Sequence, residues 1–82
     1  MFQNKHNGRN NMVGIGMKKL RKNLHVSQRE ISDRLSRCDI IVDKNAVQRM
    51  ESGERFITDI ELIGISKMFN LSVEELINMS KE

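Results

Sequence analysis

Proline, tryptophan and tyrosine are absent from these 82 residues, and the only aromatics are Phe2, Phe56 and Phe69. Sheets draw on aromatic and β-branched side chains, whereas Leu, Ile, Met, Lys, Arg and Glu dominate here and favour helices over a sandwich or barrel. Long hydrophobic runs are missing too: the longest, Ile40–Ile41–Val42, has three residues. A membrane helix needs about 20, and the amino terminus lacks the apolar stretch of a secretory signal. No membrane segment is expected. The single cysteine, Cys38, has no internal partner for a disulfide, which fits a reducing compartment. Neither His6 nor His25 sits among residues with metal-ligand spacing. No nucleophile–base pair, phosphate loop or paired carboxylates are legible, so catalysis, a metal and a cofactor are not expected.

What is present is chain enough for one domain with a single modest core. The net charge of +3 is unevenly spread. Through Arg49, eleven Lys and Arg face four acids, giving +7; from Met50 onward three bases face seven acids, giving −4. This asymmetry suggests one surface for a polyanion and another for something else.

Residues 1–11 are polar, Asn-rich and basic without an apolar period, which predicts a flexible tail before a domain spanning 12–82. Val13, Met17, Leu20 and Leu24 form one stripe of an amphipathic helix, whose first turn Gly14 and Gly16 weaken. Three segments match the capping-box pattern: Ser27-Gln-Arg-Glu30, Thr58-Asp-Ile-Glu61 and Ser72-Val-Glu-Glu75. In each, the hydroxyl accepts from an orphaned backbone N–H and the Glu reaches back to the cap residue. They open helices with Ile31 and Leu35 inward, with Leu62, Ile65 and Phe69 inward, and with Leu76 and Ile77 inward. Between the first two, Asp43 can cap a helix over about 44–52 that turns Val47 and Met50 inward and stops at Gly53. Asn70, which tolerates left-handed geometry, can stop the fourth. The reading is all-α, a five-helix bundle with short links.

The segment Leu20-Arg-Lys-Asn-Leu-His-Val-Ser-Gln-Arg-Glu-Ile31 resembles the opening of phage-repressor and Cro-type helix-turn-helix domains, the XRE family. Ala46-Val-Gln-Arg-Met-Glu-Ser-Gly53 is similar to that family's recognition helix and its Glu-x-Gly exit, and Thr58 to Leu76 is similar to its closing helices. The resemblance covers about Val13 to Ile77 and implies a lambda-repressor-like DNA-binding fold whose helix-turn-helix is made by helices two and three. One departure is the link 37–42, about five residues longer than the family's tight turn, with Asp39 where a related subset often has Gly. Another is Ser32, where helix two usually carries Ala.

What the resemblance implies is a transcriptional regulator, a repressor, binding double-stranded DNA in the cytoplasm of a bacterial or phage system. If Val47 and Met50 face the core, then Lys44, Asn45, Gln48 and Arg49 project outward to read bases. Lys and Arg can donate to guanine, while Asn and Gln can pair with adenine. Ser27, Gln28, Arg29 and Arg55 are expected at phosphates, Gln28 at a helix start also bracing the recognition helix. Lys5, His6 and Arg9 could touch the phosphate backbone as a basic arm. Arg21 and Glu51 are expected as a structural ion pair. A homodimer on a palindromic operator is anticipated, with Ile60, Ile63, Leu76, Ile77 and Met79 as candidate dimer surface. The alternative is a protein-interaction module of the same fold, or an antitoxin-like protein binding a partner through the acidic C-terminal face.

Overall fold

Four backbone N–H groups at each helix start need partners from outside the helix, and short-range side chains supply many of them. In the computed structural model, which describes residues 7–81, the helices are α1 (Val13–Leu24), α2 (Gln28–Ser36), α3 (Lys44–Ser52), α4 (Asp59–Phe69) and α5 (Val73–Lys81). Asp43 accepts from the Ala46 N–H at 2.7 Å and caps α3. Thr58 and Ser72 form complete capping boxes with Glu61 and Glu75. The Ser27 box is half-formed: its hydroxyl accepts from Glu30 N–H, but the Glu30 carboxylate pairs with Arg34 one turn on. Gly53 (φ 88°) ends α3 and Asn70 (φ 56°) ends α4, both left-handed.

The helices bury Val13, Met17, Ile31, Leu35, Ile40, Val47, Met50, Ile65 and Leu76 in one cluster. Fully burying such a side chain contributes about 1.5–3 kcal/mol. α1 packs mainly against α5 and α3, while α2 packs on α3 and α4. The apolar stripe of α1 stops short of Leu24, which is 47% exposed. Leu76, read from the sequence both as inward-facing and as a candidate for a dimer surface, is fully buried and belongs to the core. Its periodicity could not separate the two roles, because an apolar stripe marks the face that is covered without naming the cover.

Gly14 and Gly16 do more than weaken a turn. A Cβ on Gly14 would stand 1.9 Å from the Met50 carbonyl oxygen, and one on Gly16 would stand 2.7 Å from Ser80 Oγ. They are the places where α3 and α5 approach the backbone of α1. Ser80, buried, donates to the Leu76 carbonyl and accepts from Gly16 N–H, so α5 supplies a partner at the start of α1.

The long link is locally ordered. Ile40 N–H returns to the Leu35 carbonyl and Asp39 N–H to that of Ser36, with Asp39 left-handed (φ 64°). This is the double hydrogen-bond pattern that usually ends on Gly, and Asp tolerates it better than most residues. Ile40 turns inward against Gly64, and Ser32 Oγ donates to the Val42 carbonyl at 2.6 Å. That bond ties the link back to α2 and so sets where α3 begins.

Candidate nucleic-acid interface

Successive residues of an α-helix are about 100° apart, so three inward positions define the outward arc of α3. Val47, Met50 and Glu51 are buried, while Lys44, Asn45, Gln48, Arg49 and Ser52 are exposed. On that arc Asn45 and Gln48 lie near the middle, with Lys44 and Arg49 at its edges. Ser52, not anticipated from the sequence, falls on the same arc at the helix end, where its hydroxyl donates to the Arg49 carbonyl.

Below the arc, Glu51 is 4% exposed and fully engaged. Arg21 Nε donates to Glu51 Oε2 at 2.8 Å, Arg21 Nη2 to Oε1 at 3.0 Å, and Gln28 Nε2 to Oε1 at 3.1 Å. The guanidinium also holds the Val26 carbonyl. One carboxylate therefore joins α1, the start of α2 and the end of α3. Gln28 has a second amide hydrogen and an oxygen beyond this bond, and it stands at the positive end of the α2 dipole.

Ser27 and Arg29 are exposed beside it. Arg29, Ser32 and Asp33 of α2 and Asp43, Lys44 and Asn45 at the start of α3 line an open cleft of about 390 Å³. Asp33 and Asp43 lower the positive potential there, so attraction for a polyanion rests on Arg29 and Lys44.

Arg55 has a different setting from the one expected. Its Nη1 and Nη2 donate to the two Glu61 oxygens at 2.9 Å each, and Nη1 also reaches the Phe56 carbonyl. The hydrogen bonds to Arg55 hold the Glu61 carboxyl below its usual range against the opposing effect of burial, and the pairing with Glu61 raises Arg55. This pairing fastens the α3–α4 turn and leaves the Arg55 side chain 32% exposed.

The far end of α3 is held by residues assigned to the tail. Arg9 Nη2 donates to the carbonyls of Met50 and Glu51, Asn10 N–H to that of Gly53, and Asn10 Nδ2 to that of Glu54. Asn11 Nδ2 donates to the carbonyls of Met50 and Arg55, while its Oδ1 accepts from Gly14 N–H. The Arg9 cation thus sits at the negative end of the α3 dipole. Lys5 and His6 lie outside the described residues. The signal that was available for this strap was Asn11, a favoured capping residue three positions before Gly14.

Among the candidates for a dimer surface, Ile60 and Ile63 are exposed on α4, whereas Ile77 and Met79 are half-buried on α5. No group of His, Cys, Asp and Glu among the described residues is arranged to hold a metal ion. None of the described helices is long and apolar enough to cross a membrane.

A family model described as helix-turn-helix matches residues 17–76. No curated protein gives a match, and no solved structure does.

Proposed function

This chain belongs to the Cro/C1-type helix-turn-helix family of DNA-binding regulators, and we propose that it is a homodimeric repressor that reads the major groove with α3. The observation that carries this reading is the arc of α3. Lys44, Asn45, Gln48 and Arg49 stand exposed on a helix held at its C-terminal end by Arg21, Gln28, Arg9 and Asn11 and at its start by the Asp43 cap and the Ser32–Val42 bond. A major groove admits one helix, and a helix held at both ends presents its side chains at fixed positions, so little ordering cost remains to be met on binding.

In this reading Asn45 and Gln48, central on the arc, pair with adenine edges, because a neutral amide gains little from phosphate alone. Lys44 divides its contacts between base and backbone, and Arg49 donates to guanine from the other edge. Ser27, Gln28 and Arg29 hold phosphates at the start of α2. Arg55 is left to its pairing with Glu61. Two copies on a palindromic operator would set half-sites about 34 Å apart, or a multiple of that, and their occupancy would exclude other proteins from the site.

The test is selection of bound duplexes from a random pool, repeated with Asn45→Ala and Gln48→Ala. Each variant should lose its preference at particular base pairs, at about 1–3 kcal/mol per lost contact. An unchanged preferred sequence would misplace the reading face. Failure of the parent chain to select any duplex, with no salt dependence of binding, would favour a protein-interaction module instead.

A further inference from the structure

On the outer side of α4, Ile60 is 69% and Ile63 52% exposed. With Gly64 and Lys67 they line a cleft of about 230 Å³ whose other wall is Cys38, Asp39 and Ile40 from the α2–α3 link. Two exposed branched side chains on one helix face, beside a cleft, form a small apolar surface with no cover in the monomer. The charges flanking it have a definite arrangement. Asp59 lies four residues before Ile63 and Lys67 four residues after it, both exposed. Among the described residues neither is in an ion pair.

Two copies of α4 crossing antiparallel about a two-fold axis at Ile63 would set Asp59 of each copy near Lys67 of the other. The helix dipoles would run opposed, and Ile60 of each copy would meet the cleft of the other. A two-fold contact requires such self-complementarity, since one patch must serve both partners.

We infer that this face of α4 is where the chain pairs with a second copy of itself, through Ile60 and Ile63 with Asp59 and Lys67 crossing the axis. The inference rests on the proposed homodimer and gives it an address. It places the contact on α4 rather than α5, because Leu76 is in the core and Ile77 and Met79 are half-buried. One helix crossing is at the small end of stable interfaces, which begin near about 1,200 Å² of total buried surface. The dimer is accordingly weak when free and strengthened when both copies share one duplex.

Sedimentation equilibrium of the full chain without DNA tests this, with circular dichroism confirming helicity. The parent should dimerise, and Ile63→Asp should abolish the dimer while keeping the helical signal. Lys67→Glu places acid against acid twice per dimer and should weaken association about tenfold or more. Adding Asp59→Lys to it should restore association to within about threefold of the parent, as restored charge complementarity requires. A parent that stays monomeric at high protein concentration would overturn the inference. So would a folded Ile63→Asp variant that dimerises as the parent does, or a charge reversal with no rescue. Binding to a duplex carrying one half-site is measured in parallel. If the parent dimerises but binds no duplex, the DNA reading has failed and the pairing surface has not.

Discussion

Gly14→Ala sets helix propensity against packing. In a free helix interior the change gains about 1 kcal/mol. In this fold the new Cβ would stand 1.9 Å from the Met50 carbonyl oxygen and 2.7 Å from its carbon, both backbone atoms that no rotamer change can move aside. To reach even a tight contact, α1 and α3 would have to part by more than about 1 Å, and packed interiors resist such insertions at about 1–3 kcal/mol. The displaced oxygen is the one that Arg9, Asn11 and Gly53 share. Losing hydrogen bonds there adds about 1 kcal/mol for each. The net is a destabilisation of about 2–3 kcal/mol, with α3 shifted from its place. For a domain of this size each kcal/mol moves the melting temperature by about 4–8 °C, so Gly14→Ala should melt about 10–20 °C below the parent. Thermal unfolding followed by circular dichroism reads this directly. Lys18→Ala, at an exposed position of the same helix, is the control and should stay within about 0.5 kcal/mol of the parent. A Gly14→Ala protein that melts at or above the parent would refute the close α1–α3 approach, and with it the account of how α3 is held.

Glu51→Ala strands the Arg21 guanidinium beside a core position and should cost about 3–5 kcal/mol, lowering stability and duplex affinity together. Unchanged melting with selective loss of binding would mean that Glu51 contacts DNA instead of bracing α3. Asp39→Gly relieves a left-handed non-glycine residue and should raise stability by about 0.5 kcal/mol, read as a small upward shift in urea midpoint; a lower midpoint would mean that the Asp39 carboxylate supports the link. Because the Glu61 carboxyl is held below its usual range in the folded state, mainly by Arg55, its contribution is complete above the unfolded-state value. It is lost as pH falls through the lower, folded-state value. Glu61→Gln keeps a side chain able to complete the Thr58 box but removes that dependence. Its melting temperature should therefore fall less steeply than the parent's on acidification, and parallel curves would count against the Arg55 pairing.

Helix boundaries were legible because the chemistry that sets them is local. Asp43, Thr58 and Ser72 satisfy N–H groups three residues away, and Gly53 and Asn70 stop helices by their own backbone preference. The outward arc of α3 follows for the same reason: once Val47 and Met50 are inward, the helix period places Lys44, Asn45, Gln48 and Arg49. The Arg21–Glu51 pair was suggested by resemblance, and its geometry belongs to the packing of α1 on α3.

What the chain by itself determined, then, is its five helices, their ends and the side chains α3 turns outward, since each depends on neighbours within a turn. Only the tertiary structure decided that Gly14 is a contact, that Leu76 is wholly core with nothing left for a dimer surface, that Arg55 pairs with Glu61 and that Arg9 and Asn11 hold the end of α3. Most of these join residues far apart in the chain; Arg55 and Glu61 are close in sequence but separated by a turn that packing must orient. The partner of a polar group is whichever one the packed helices bring within about 3 Å, and composition, period and spacing do not record which surfaces will meet.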